Sequence, residues 1–234
     1  MKIYKFGGAS VKDAEGVKNL VTILNHLGQQ QTLIVVSAMG KTTNSLELVV
    51  KNYFDNKEDL QYSINEVFNF HNKILHNLFK EDNHQIFSEF NEIFENLRIF
   101  LKRNKSPDYS FVYDQVVSFG EILSTKIINS YLNYSSIPCN WVDARILIKT
   151  DSKYRDANLN WELTKTSIYK NINTKLLNIT QGFIASDANN FSTTLGREGS
   201  DYTAAIFAYC LNAESVTIWK DVPGVLNADP RVFK

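Results

Sequence analysis

The sequence predicts an α/β fold in which helices sandwich a mainly parallel central sheet, with a helical insertion. Three observations carry this. Short runs rich in β-branched and aromatic residues, at 2–6, 33–37, 139–143, 179–185 and 216–220, are separated by helical sequence, the alternation of parallel strands joined by crossovers. The first run enters two glycines, Gly7 and Gly8, as a strand-to-turn unit does. Residues from about 58 to 105 hold no glycine or proline, and their apolar residues recur at helical intervals.

Composition narrows the function classes. The chain has 234 residues, with 25 Lys plus Arg against 25 Asp plus Glu. That length suits one sizeable domain, and the simplest partition is a single domain over 1–234 with an insertion at about 58–105. The balanced charge points to neither nucleic acid nor a membrane surface as partner, so an anionic ligand must be met locally. Cys139 and Cys210 sit in apolar surroundings without CxxC spacing or a histidine cluster, which predicts reduced thiols and no structural zinc or other bound metal. No run approaches the ~20 apolar residues of a membrane span, and a cytoplasmic location is expected.

The elements follow in order. In Lys5-Phe6-Gly7-Gly8-Ala9-Ser10 the strand delivers a lysine to a bare backbone turn, where missing Cβ atoms leave N–H groups open to an anion. The same residues would also serve an ordinary tight turn; a following helix is expected to add its positive end. That helix carries Val17, Leu20, Val21, Leu24 and Leu27 as one stripe and ends near Gly28. The second strand enters Ser37-Ala38-Met39-Gly40-Lys41-Thr42-Thr43. Gly-Lys-Thr imitates the end of a P-loop, but Val35 stands where that loop needs its first glycine, and protein-kinase signatures are missing too. What remains is a strand-turn-helix unit presenting small hydroxyl residues at the sheet's C-terminal edge, where open α/β sheets bind ligands.

The insertion reads as two long helices broken near residues 80–83, a hairpin packed over the sheet, with His71, His76 and His84 taken as solvated polar positions. Ser118-Phe119-Gly120-Glu121 precedes an apolar helical run, so Glu121 serves either the helix dipole or an ammonium group. Gly196-Arg197-Glu198-Gly199-Ser200-Asp201 passes from loop to helix, with Ser200 or Asp201 as N-cap and flanking glycines freeing N–H groups for an anion. Last, Trp219-Lys220-Asp221-Val222-Pro223-Gly224 leaves a strand into a turn; Lys220, Asp221 and Arg231 suit the hydroxyl and phosphate groups of a nucleotide.

In this order KFGGAS, VVSAMGKTTN, SFGE, VDARILIKTD, GFIAS, TTLGREGSDYTAA and WKDVPGVLNADPR resemble the aspartate kinases of the amino acid kinase family, across the whole chain. The resemblance implies ATP, with Mg2+ held mainly through its phosphates, and phosphorylation of the side-chain carboxylate of L-aspartate, the first step toward lysine, threonine and methionine. It implies that Lys5 neutralises the transferring phosphoryl group, that Gly7, Gly8 and Ser10 supply donors, and that Asp201 orients Lys5 and substrate. Thr43, Glu121, Arg197 and Ser200 match aspartate-binding positions, with Arg197 on the α-carboxylate and Glu121 near the ammonium. Lys220, Asp221 and Arg231 match the nucleotide side. Glu198 departs from the glycine or small residue of many relatives, and Leu226 from an aromatic found in some. The resemblance also implies homo-oligomers, and relatives that continue past the position of Lys234 into the rest of the kinase domain and paired ACT domains. The chain is therefore expected to be C-terminally incomplete. Another amino acid kinase acting on glutamate or uridylate, or a binding fragment without turnover, are the competing readings.

Overall fold

A computed structural model of the chain describes residues 1–81 and 83–220. Five strands, β1 (Lys2–Phe6), β2 (Thr32–Val36), β3 (Asn140–Trp141), β4 (Asn178–Gln181) and β7 (Ser215–Trp219), form a wholly parallel sheet in the order β3-β4-β2-β1-β7. β5 (Ile184–Ser186) and β6 (Ser192–Thr194) make a separate antiparallel pair. The inner strand β2 is almost continuously apolar, and β1 is so but for Lys2 and Lys5, because both of their faces are covered.

Side-chain alternation divides those faces. Tyr4, Phe6, Ile34 and Val36 join a core with α1 (Ala14–Leu27), α2 (Thr42–Asp55), α3 (Lys57–Leu78), α4 (Gln85–Arg103) and α5 (Tyr109–Tyr134). Ile3, Leu33 and Val35 join a second core with α6 (Ala144–Leu147), α7 (Trp161–Asn171) and α8 (Gly199–Leu211). The expected sandwich is thus present. Lys5 shares the parity of Ile3 and points to the face of α8.

The stretch read as two long helices forms α3 and α4, packed through rings such as Phe68, Phe90 and Phe94. His84 caps α4 by accepting from the Ile86 N–H at 3.2 Å. His71 corrects the expectation of a solvated position: it is fully buried, between Val67 and Ile74 on the inner stripe of α3. Its Nδ1 lies 2.8 Å from the Val67 carbonyl and its Nε2 3.3 Å from the Thr42 hydroxyl. Burial pushes its pKa down to about 4, against the pull of the Val67 hydrogen bond.

Three further expectations change. The helix carrying Glu121 starts at Tyr109, where Asp108 accepts from the N–H groups of Ser110 and Phe111, so Glu121 lies mid-helix and its dipole reading fails. The run 179–185 is two strands in two sheets, broken at Gly182 and Phe183, whose φ is 69°. β6 was not expected, because Ser192, Thr193 and Thr194 carry no apolar signal yet are buried. Cys139 and Cys210 are free thiols, and burial pushes Cys139 up to about 12. Among the described residues no helix is long and apolar enough to cross a membrane.

Candidate active site

The site lies at the C-terminal end of the sheet, where β1, β2 and the turn before α8 converge. β1 leads not into a long helix but into a 3-10 turn at Gly8–Val11, and α1 begins only at Ala14. A Cβ at Gly8 would stand 2.6 Å from the Ala38 carbonyl oxygen, and the Gly40 N–H donates to the Gly8 carbonyl at 2.9 Å. Glycine here lets the two loops touch, which brings Lys5 toward Thr43. A Cβ at Gly182 would lie 2.6 Å from that of Ser200, so the end of β4 and the start of α8 are equally close.

These approaches enclose a cavity of about 240 Å³. Of the residues singled out in the sequence, Lys5, Gly8, Thr43, Glu121, Ser200 and Asp201 line it, together with Ser37, Ala38, Gly40, Phe183 and the 196–199 turn at Gly196, Glu198 and Gly199. Arg197 is exposed on the rim between Gly196 and Glu198, and among the described residues it forms no ion pair. Gly7 and Ser10 do not line this cavity: the Gly7 N–H and the Ser10 hydroxyl both donate to the Trp219 carbonyl, at 3.4 and 3.2 Å, although a Cβ at Gly7 would stand 3.5 Å from Lys5 Nζ. Asp221, Arg231 and Leu226 lie outside the described residues.

Lys5 Nζ and Asp201 Oδ1 are 2.6 Å apart, and Lys220 Nζ is 3.2 Å from the other oxygen, Oδ2. Burial pushes the Asp201 pKa up, but the Lys5 hydrogen bond and the charges of Lys5 and Lys220 outweigh it and hold the carboxyl below its ordinary value. The expected N-cap is corrected: Glu198, at φ 55° in the left-handed region, precedes the helix and gives no side-chain hydrogen bond. The start of α8 therefore faces the cavity without a side-chain cap, as an anion site requires.

Glu121 is the opposite pole. It is 2% exposed, and burial raises its pKa well above the ordinary value, although the Ala38 N–H and the Lys5 charge pull it back. Among the described residues its Oε2 has no hydrogen-bond partner. A buried carboxylate oxygen lined up on a cavity and lacking a donor is completed by a proton or by a cationic ligand. Around it α5 is held by polar bonds: Ser124 donates to the Ser37 carbonyl at 2.8 Å, and Gln181 Nε2 donates to Thr125 Oγ1 at 2.7 Å.

The sequence reading placed Ser37 and Ala38 in the turn at the sheet's ligand-binding edge, where they line the cavity, but it missed Phe183. The Gly182-Phe183 step inside an otherwise strand-like run was the available signal, since a glycine there marks a bend.

The sequence pattern of the amino acid kinase family matches residues 1–234. Lysine-sensitive aspartokinase 3 of Escherichia coli is 31% identical over 242 residues, covering 98% of this chain and 51% of the relative. The bifunctional aspartokinase/homoserine dehydrogenase of Buchnera aphidicola is 34% identical over 246 residues, covering 99% of this chain and 29% of the relative. The crystal structure of E. coli aspartokinase III in complex with aspartate and ADP has a TM-score of 0.89 at 29% identity, covering 99% of this chain and 52% of that one. The chain spans about half the length of the E. coli relative and a smaller share of the bifunctional one. With the family pattern running through every described element, from the Lys5 strand to the Asp201 helix, this chain belongs to the amino acid kinase family.

Proposed function

We propose that this chain transfers a phosphoryl group from ATP to the side-chain carboxylate of L-aspartate, giving 4-phospho-L-aspartate. The observation that carries the reading is the polarity of one small cavity: the unpartnered Glu121 oxygen at one end and the Lys5–Asp201 pair with the uncapped start of α8 at the other. An α-amino acid with a side-chain carboxylate has matching poles. Its ammonium completes Glu121, its α-carboxylate is within the province of the unpaired Arg197, and Thr43 and Ser200 supply hydroxyls between them. The solved E. coli structure at 29% identity holds aspartate and ADP, which supports the same pair of ligands here.

Catalysis by these residues is a matter of position and charge. The acceptor carboxylate, with a reference pKa of about 3.9, is already ionised at neutral pH, so no base is required. Lys5 meets the charge of the transferred group, held in place by Asp201, and the N-terminus of α8 adds its dipole. Lys220, 3.2 Å from Asp201 Oδ2, would serve the nucleotide in this reading. Mg2+ would arrive on the phosphates of ATP. When bound, it offsets charge on the phosphates. In this reading the product feeds lysine, threonine and methionine synthesis.

The test is to incubate the purified protein with Mg-ATP and L-aspartate and trap the acyl phosphate with hydroxylamine, with L-glutamate and uridylate as alternative acceptors. Aspartate-dependent hydroxamate is the expected result. Phosphorylation of glutamate or uridylate instead would reassign the acceptor, and calorimetric binding of aspartate without any product would reduce the chain to a binding module.

A further inference from the structure

Outside the cavity, α5 carries two buried polar residues that the chemistry above does not use. Asp114 is fully buried and its two oxygens accept three hydrogen bonds: from the Thr194 N–H at 2.9 Å, the Thr194 hydroxyl at 2.8 Å and the Arg155 N–H at 3.0 Å. Beside it, the Gln115 amide pairs with both backbone groups of Ser192, donating to its carbonyl at 2.8 Å and accepting from its N–H at 3.0 Å. Together they hold β6 to α5 as an adjoining strand would.

What β6 leads into gives this clamp its meaning. Thr194 is followed by Leu195, Gly196 and Arg197, and the 150s loop that Asp114 also holds abuts the same turn: a Cβ at Gly196 would lie 2.8 Å from Asp156 Oδ1. Asp114 stands seven residues before Glu121 on the same helix, about two turns away and so on the same face. One rigid helix therefore carries the carboxylate facing the ammonium pole and grips the strand that delivers the guanidinium for the α-carboxylate.

We propose that Asp114 is a positioning residue that fixes the Arg197 turn relative to Glu121 and so sets the affinity for the amino-acid substrate; this rests on the reading of the cavity given above. Two backbone N–H groups, from Thr194 and Arg155, converge on one oxygen and need an acceptor there, while the Thr194 hydroxyl meets the other oxygen, so removing the side chain leaves both N–H groups unpaired. Burial pushes Asp114 up to about 6, against the hydrogen bonds from Arg155 and Thr194 and the Arg155 charge. Arg155 is itself held, its guanidinium 4.2 Å above the Tyr113 ring and 3.4 Å from Glu47.

The experiment has two arms on the intact chain. Hydrogen exchange without ligand reads the clamp: Asp114→Ala is expected to speed exchange of the 195–199 amides by about tenfold or more, one lost hydrogen bond's worth, while β1 and β2 stay protected. Unchanged exchange in that turn, or equal acceleration throughout the chain, overturns the proposal. Calorimetry with L-aspartate reads the consequence: Asp114→Ala weakens binding about tenfold in the native background and little once Arg197→Ala is present. Additive losses overturn the role. Thr194→Val, which removes only the hydroxyl donor, repeats both arms more gently and serves if Asp114→Ala does not fold. Absence of aspartate binding by the native chain would sink the proposed function, whereas the exchange arm would still decide whether Asp114 holds the turn.

Discussion

Lys5 and Asp201, from the first strand and the last described helix, form an ion pair with 2.6 Å between Nζ and Oδ1, and both side chains are largely shielded from water. The pair exists because strand alternation aims Lys5 at the face of α8, whose first turn holds Asp201. Lys220, 3.2 Å from the second carboxylate oxygen, makes Asp201 the bridge between two cations. A phosphoryl group placed beside this bridge meets a lysine whose position is set before it arrives.

That preorganisation predicts the effect of removing it. Lys5→Ala is expected to lower kcat by ~10² to 10³ while changing the aspartate KM far less, because Lys5 acts on charge that develops in transfer. Steady-state kinetics with aspartate and ATP varied separately check this. A variant with native turnover would remove Lys5 from the chemistry.

In the proposed reading Glu121 gives up stability for binding. Its folded pKa is raised above the unfolded value, so its contribution is intact below the ordinary 4.5 and is lost as pH rises through the folded value. Glu121→Gln should therefore stabilise the ligand-free protein at pH 7 by about 1 to 3 kcal/mol, each kcal/mol raising Tm by about 2 to 4 °C. The gain should vanish toward pH 4.5. The same variant should need far more aspartate for half-saturation. Thermal melts across pH, paired with aspartate titrations, check both; a variant less stable at pH 7 with unchanged aspartate affinity would overturn the assignment.

Arg197 sits exposed at the rim and should contribute to binding but little to the fold. Arg197→Ala is expected to leave stability within about 0.5 kcal/mol and to raise the aspartate KM by about tenfold or more. Denaturant unfolding and aspartate saturation curves separate the two. An unchanged KM would move the α-carboxylate elsewhere.

His71 should govern acid sensitivity. Its folded pKa of about 4 lies below the ordinary 6.5, so its stabilising contribution is whole above 6.5 and is lost as pH falls toward 4. The loss amounts to about 3 kcal/mol at most, for a shift of that size. His71→Gln should flatten the stability profile in this window, as urea midpoints at pH 7 and pH 4.5 would register. An identical profile would mean that His71 does not titrate there.

The sequence alone determined the parallel sheet and the loops at its C-terminal edge, because those depend on local signals: apolar runs in β1 and β2, glycines at Gly7, Gly8, Gly196 and Gly199, a hydroxyl at Thr43 and an arginine before α8. Tertiary structure alone decided where α5 begins, since a helix buried almost all round has no 3.6-residue polarity to read, and it decided that Ser192 to Thr194 form a strand, since their partners are Asp114 and Gln115, far away in the chain. Burial decided the states of His71 and Glu121, a polar residue's environment being fixed by what folds over it. The meeting of Lys5 with Asp201 belongs to both: side-chain parity sets the direction in which Lys5 points, and only the packing of α8 on that face places a carboxylate there to receive it.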